Sequence, residues 1–105
     1  MINREVEWGG THFEVFTCQQ LINNVYVNVE PTSVNVELES YESIPENITS
    51  LSYVNTDDGI YLTKFFADKT LYMPNDAFYI AFYWNYNNTT MCERIPIKVV
   101  VDKWF

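Results

Sequence analysis

The chain has 105 residues, of which 48% are hydrophobic and 17% aromatic, and its formal net charge is -8. This length suits one domain, residues 1–105, and the apolar content excludes a disordered chain. Ten acidic residues but no lysine or arginine lie between Glu5 and Thr63. The basic stripe that nucleic acid requires is therefore missing, and anionic membranes are disfavoured as partners.

The first strands are predicted from short alternating segments. Residues 5–8 read as an edge strand that ends at Gly9-Gly10, and residues 11–18 read as the next strand. In this second strand Phe13 and Val15 alternate with His12, Glu14 and Phe16. Residues 19–24 are predicted to be a loop.

An acidic hairpin is predicted next, over residues 25–39. Valines alternate with polar residues from Val25 to Glu30 and again from Val34 to Glu39, on either side of Pro31. This period of two predicts two paired strands with an apolar side and an acidic side. The acidic side is a candidate binding surface formed by Glu30, Glu37 and Glu39.

The second half of the chain predicts a loop over residues 41–47, a strand over 48–54, a hairpin turn at Asp58-Gly59 and a strand over 60–66. A short apolar segment, residues 70–73, then leads to the most apolar strand, residues 77–86. The last strand, residues 91–101, contains Pro96, which predicts an edge position or a bulge.

The strand over residues 77–86 has two different faces, because successive side chains point to opposite sides. Phe78, Ile80, Phe82 and Trp84 are predicted to fill the core. The other face, with Tyr79 and Tyr83, is either a second buried layer or an exposed aromatic surface. The candidate aromatic binding residues of this strand are Tyr79, Tyr83, Trp84, Asn85 and Tyr86.

Eight to nine short strands without a substantial helix predict an all-β fold, a two-layer antiparallel β-sandwich of immunoglobulin-like or jelly-roll-like type. A small closed β-barrel is the alternative. With only 3 glycines for sharp barrel corners, the sandwich is favoured.

The segment Asp57-x-Gly59-x-Tyr61 resembles the corner before a late strand of immunoglobulin-type domains. The resemblance implies that the hydroxyl of Tyr61 returns to the backbone. Thr63 stands where that family often has its second cysteine.

The two cysteines, Cys18 and Cys92, form a possible disulfide, but free thiols are favoured in a chain without an export signal. The amino-terminal residues lack the apolar stretch of a signal peptide, and no apolar run is long enough to span a membrane. We therefore expect a cytoplasmic protein that could be assembled into a virion. An extracellular location would require that a leader had been removed.

Cofactor, metal and catalytic sites are not expected. His12 is the single histidine, and no cysteine or histidine spacing suits a metal. Glu37 and Glu39, two residues apart, could in principle share Ca²⁺ or form a glycosidase-like pair, but an acidic solvent face explains them without chemistry.

Three functions remain open from the sequence. The first is a non-enzymatic structural or interaction module, an accessory subunit of a larger assembly such as a viral or phage particle, which binds a protein or itself. The second is a carbohydrate-binding module that uses exposed tyrosine and tryptophan rings, with Trp8 and Trp104 as further candidates. The third is an acidic inhibitor that fills a basic site, with Glu42 and Glu46 added to the acidic side.

Overall fold

The structure, a computed structural model, describes residues 4–40 and 49–101. This part of the chain folds into strands joined by turns and contains no helix, which confirms the all-β prediction. The ten strands are β1 (Arg4–Glu7), β2 (Thr11–Thr17), β3 (Gln19–Ile22), β4 (Val25–Asn28), β5 (Ser33–Ser40), β6 (Thr49–Ser50), β7 (Tyr53–Asp57), β8 (Ile60–Phe66), β9 (Ala77–Tyr86) and β10 (Thr89–Val100).

Two sheets pack face to face, as the sandwich prediction requires. The larger sheet has the order β1-β10-β9-β5-β6, in which β1 runs parallel to β10 and the other pairs are antiparallel. The smaller sheet has the order β2-β8-β7. Strands β3 and β4 form a separate hairpin. The described residues extend over 52 × 29 × 25 Å, so the domain is elongated.

The core lies between the sheets, and β9 supplies its centre. Ile80, Phe82 and Trp84 are buried there as predicted, and Phe78 packs against them. The ring of Phe82 stacks on Phe16 of β2, with centroids 4.4 Å apart, so this pair joins the two sheets. An aromatic pair of this kind contributes about 1 kcal/mol beyond the area that it buries.

The predicted hairpin over residues 25–39 is wrong. Strand β4 pairs with β3, and β5 pairs with β9. The predicted loop over 19–24 is also wrong, because 19–22 is strand β3. The physical reason is the turn at Asn23-Asn24, where both residues have positive φ, 51° and 64°. Asparagine tolerates this conformation, and a two-residue turn of this geometry joins neighbouring antiparallel strands.

The predicted strand over residues 48–54 is two strands in different sheets. β6 pairs with β5, whereas β7 pairs with β8, so the chain crosses between the layers at Leu51 and Ser52. The backbone N–H of Leu51 donates to Val36 in the larger sheet, and the hydroxyl of Thr63 donates to the carbonyl of Ser52. Ile48 and the predicted loop over 41–47 lie outside the described residues. The segment 70–73 forms turns.

The proline in β10 lies where the neighbour of that strand changes. β9 pairs with β10 along nearly its whole length, but β1 pairs only with the residues from Ile97 onward. Pro96 is the residue before this second ladder begins. The predicted edge position therefore describes the first part of β10, whereas the last part is covered on both sides.

Strands β2 and β3 form one continuous line that changes its partner at Cys18. The N–H of Cys18 donates to the carbonyl of Gly59 beside β8, and its carbonyl accepts from the N–H of Val29 after β4. Both groups of one strand residue point to the same side, so β8 and β4 lie end to end on that side. The hairpin of β3 and β4 thus continues the smaller sheet beyond the sandwich.

Gly59 stands at the junction between these strands. It has a φ of +70°, whereas Asp58 beside it is not among the residues with positive φ. The turn is therefore not the type I′ turn that Asp-Gly suggests, and the register shifts between Asn55 and Asp57. A Cβ at position 59 would lie 2.7 Å from the carbonyl oxygen of Val29.

We expect Gly59→Ala to lower the free energy of unfolding by roughly 2 kcal/mol, because the added methyl group meets backbone atoms and the backbone is held at positive φ. Urea denaturation followed by tryptophan fluorescence measures the change. Asn24→Gly is the control, because glycine also accepts positive φ, and it should change stability by less than about 1 kcal/mol. Equal stability of Gly59→Ala and wild type would contradict the geometry of this junction.

Candidate interaction surfaces

The predicted aromatic binding residues lie on both sides of β9. Tyr79, Tyr83 and Asn85 point away from the core and are half-buried. Trp84 points inward and is 7% exposed, and Tyr86 is half-buried against the core cluster. The five residues therefore form no single surface, because the alternation along a strand separates them. The burial of Trp84 agrees with its predicted place in the core, and its role in binding stays a prediction.

The other tryptophans are placed differently. Trp8 is half-buried, its indole N–H donates to the carbonyl of Tyr72 at 2.8 Å, and Lys69 lies over its ring. Trp104 lies outside the described residues. Of the tryptophans in the described part, neither Trp8 nor Trp84 presents an open stacking ring.

Tyr83 belongs to a hydrogen-bonded network across three strands of the larger sheet. Its hydroxyl donates to Oε2 of Glu39 on β5 and accepts from a guanidinium N–H of Arg94 on β10 at 2.9 Å. The Nε of Arg94 also donates to Oε1 of Glu39 at 2.9 Å. Arg94 itself lies over the ring of Tyr83, 5.7 Å from its centroid. The network holds β5, β9 and β10 together on this face.

The pKa values of this network follow from its hydrogen bonds. Burial alone would raise the pKa of Glu39, but hydrogen bonds from Tyr83 and Arg94 outweigh that effect and lower it. The hydrogen bond to Glu39, with burial, raises the pKa of Tyr83 to about 12. The same carboxylate raises the pKa of Arg94. Glu39 is thus an ionised acceptor at neutral pH.

The rest of this face is tied together in the same way. The amide of Asn85 donates to the hydroxyl of Ser33 at 2.6 Å, and Thr90 donates to the carbonyl oxygen of that amide. On β5, Asn35 donates to Glu37 at 2.6 Å. These outward polar groups of the larger sheet therefore have partners within the sheet.

The predicted acidic side is divided between two places. Glu37 and Glu39 share a face of β5, but Glu30 lies at the end of the smaller sheet. Its carboxylate accepts from the N–H of Gly59 at 2.6 Å and from the hydroxyl of Tyr61 at 3.0 Å, and these bonds lower its pKa. Burial and the same bond raise the pKa of Tyr61 to about 12. Glu30 therefore braces the β7–β8 turn.

The two cysteines are free thiols in the structure. Cys18 is completely buried, whereas Cys92 is exposed on β10. Burial, with the nearby charges of Glu30 and Glu93, raises the pKa of Cys18 to about 11.

An exposed apolar surface that the sequence analysis did not identify covers the outer side of the smaller sheet. We call it the outer apolar face and define it as Phe13, Val15, Val54, Leu62 and Phe66. Val15, Leu62 and Val54 form one row across β2, β8 and β7. Phe13, Val15, Val54 and Phe66 are 59%, 58%, 61% and 53% exposed. A shallow pocket of about 130 Å³ opens between Phe13, Val54 and Leu62 beside the exposed Lys64.

The inward row of β2 explains why these apolar residues point outward. Phe16 fills the core, while Glu14 is held by Nε of Arg4 at 2.5 Å and by the ring of His12 at 2.9 Å. Because Phe16 is buried and Glu14 lies on the same row, the period of two directs Phe13 and Val15 to solvent. The sequence signal that could have predicted this face is the presence of apolar residues on both sides of β2.

The described residues hold no cluster of histidine, cysteine, aspartate or glutamate that could bind a metal ion. In that same part of the chain, no helix has the length and apolar character needed to cross a membrane.

Comparison with known proteins identifies the architecture. The chain resembles the crystal structure of the titin M3 domain with a TM-score of 0.52 and 12% sequence identity, over 95% of each chain. The fold is an immunoglobulin-like β-sandwich. No family model matches the sequence, and no curated protein matches it.

The resemblance at Asp57-x-Gly59-x-Tyr61 predicted the correct fold, but the segment does not form the tyrosine corner that the resemblance implied. Tyr61 lies on β8 beside a hairpin within the smaller sheet, and its hydroxyl donates to the side chain of Glu30 rather than to the backbone. Thr63, two residues later, is buried and bonded to Ser52.

We expect Glu39→Gln to reduce the loss of unfolding free energy that occurs when the pH falls into the acid range. Because the folded pKa of Glu39 lies below its ordinary value of 4.5, its ionised form stabilises the fold above that pH, and this contribution is lost as the pH falls through the folded pKa. Unfolding free energies measured between neutral pH and acid should therefore fall less steeply in the variant. Parallel profiles for the variant and wild type would refute the role of the network.

Labelling of the native protein with Ellman's reagent should modify Cys92 quickly and leave Cys18 unmodified until the chain unfolds, because a buried thiol with a raised pKa is protected. Cys92→Ser should abolish the fast phase. Absence of free thiol in unfolded, unreduced protein would instead show that Cys18 and Cys92 are paired.

Proposed function

We propose that this chain is a non-enzymatic protein-interaction module, an accessory subunit whose outer apolar face lies against a partner protein in a larger assembly. The observation that carries the proposal is the exposure of two phenylalanines and two valines on one side of the smaller sheet. Contiguous exposed apolar surface in a soluble domain marks an interaction site.

The chemistry of the outer apolar face favours a particular kind of partner. Its row of Val15, Leu62 and Val54 suits an apolar centre on the other protein, and Lys64 at its rim suits a carboxylate. Such a contact depends mainly on burial of apolar area, so it should weaken little with salt. The fold by itself does not argue for a function, and the proposal rests on this surface.

The other two functions predicted from the sequence have less support. Carbohydrate stacking needs open aromatic rings, and Trp84 is buried while Trp8 is half-buried. For an acidic inhibitor, the carboxylates of Glu30 and Glu39 already accept hydrogen bonds within the fold. The viral setting and the cytoplasmic location stay predictions.

The proposal predicts that Val54→Lys weakens partner binding by about tenfold or more, because it places a charge in the centre of an apolar contact. The wild-type chain, immobilised, would first retain its partner from an extract of its native cells, and the purified partner would then be titrated by calorimetry. Thr89→Lys is the matched control, since it adds the same charge at the β9–β10 turn.

The control should bind within about twofold of wild type. Equal affinity of Val54→Lys and wild type would exclude the outer apolar face as the binding surface. A steep loss of affinity with salt would instead favour the acidic-inhibitor function.

A further inference from the structure

The line formed by β2, Cys18 and β3 has one open side. The bonds of Cys18 place the backbone groups of the even-numbered residues toward β8 and β4, so those of the odd-numbered residues, Thr11 to Leu21, point the other way. No strand of the described residues pairs with that side, because β2 is the last strand of its sheet and β3 pairs only with β4.

This open edge lacks most of the devices that protect exposed strands. From Val15 to Val29 the sequence has no charged residue and no proline. The side chains of the odd-numbered residues from Thr11 to Leu21 are all exposed, and none of them is charged. Natural sheets usually guard such an edge with lysine, proline or a bulge. The inward Glu14 is a guard on the first part of the edge, but from Val15 onward no such guard is present, so this part is a site for strand addition.

The β3–β4 hairpin shows the same exposure beyond the sandwich. Leu21, Ile22, Val25, Tyr26 and Val27 are between 42% and 68% exposed, on both sides of the hairpin. A two-stranded hairpin without further cover is marginal in water. A strand that pairs with the open edge of β3 would give it a third strand.

We propose that a second copy of this chain occupies the edge, with residues 12–22 of each copy paired antiparallel across a two-fold axis at Thr17. Opposite residues must both be odd-numbered or both even-numbered, because only the odd-numbered residues have outward backbone groups. An axis at Thr17 meets this condition and pairs residues 12–22 of the two copies. Each hairpin then lies beside β2 of the other copy.

The side chains fit this register. Phe13 stands opposite Leu21 of the second copy, and Thr17 stands opposite its own counterpart, a favourable pair in antiparallel sheets. On the inward face, Glu14 meets Gln20 of the second copy. No pair in this register joins like charges.

Charge also favours a second copy as the occupant. Each copy carries a net charge of -8, so most self-contacts would be repulsive. The edge avoids this cost, because its one acidic residue, Glu14, points inward and is already paired with Arg4. The same strand serves both partners, as a two-fold interface requires.

Sedimentation velocity over a range of concentrations tests the proposal. The wild type should sediment as a dimer of 12.4 kDa chains. Thr17→Lys and Thr17→Glu should each weaken the dimer by about tenfold or more, because like charges then face each other at the axis. Mixing the two variants should restore a dimer, which also shows that both are folded.

Val54→Lys is the matched control, because it adds a lysine on the far strand of the same sheet and should leave the dimer intact. Amide exchange gives a second measurement: odd-numbered amides from Phe13 to Leu21 should gain protection as concentration rises. A monomeric wild type at all concentrations, or a dimer that survives both Thr17 variants, would overturn the proposal. Loss of the dimer in Val54→Lys would also overturn it.

The open edge and the outer apolar face share Phe13 and Val15, but different variants test them. If the open edge does not form the dimer, sedimentation of the wild type and of the Thr17 variants will show it. If the outer apolar face does not bind the partner, Val54→Lys will bind that partner as tightly as wild type does.

Discussion

The junction at Cys18, Gly59 and Val29 organises the smaller sheet. The N–H of Cys18 donates to Gly59 beside β8, and the carbonyl of Cys18 accepts from Val29 after β4. Strands β8 and β4 therefore lie end to end against the single line of β2 and β3. This arrangement needs a residue without a side chain at position 59, since a Cβ there would meet the backbone of Val29. It also projects the β3–β4 hairpin past the sandwich and leaves one side of the long strand open.

The two layers are joined by packing rather than by a covalent bond. In antibody domains a disulfide links the two sheets. Here Phe16 and Phe82 stack across the core, and Cys18, two residues after Phe16, remains a free thiol. Two hydrogen-bonded carboxylates support this core from outside, Glu39 across the larger sheet and Glu30 at the β7–β8 turn. The acidic residues thus act as acceptors within the fold as well as contributing net charge.

The strands and the layer count could be predicted from periodicity, because Phe78 to Trp84 alternate large apolar residues with others. The pairing of the strands could not be predicted in the same way. The valines of β4 and β5 have the pattern of a hairpin, but this pattern does not determine which strand lies beside which. The Asn23-Asn24 turn gives β4 a nearer partner in β3. The outer apolar face was missed for a related reason. Which row of β2 faces inward depends on the packing of Phe16 and Cys18 in the core, and Glu14 of the same row pairs with Arg4, ten positions away in sequence.

The turns carry a further consequence for the unfolded chain. Asn23, Asn24, Asn75, Asn87 and Asn88 all adopt positive φ, in a protein with only 3 glycines. Asparagine reaches this conformation at modest cost, and its side chain leaves the denatured backbone fewer conformations than glycine would. Each asparagine turn therefore loses less conformational entropy on folding than a glycine turn would, and this difference offsets part of the cost of positive φ.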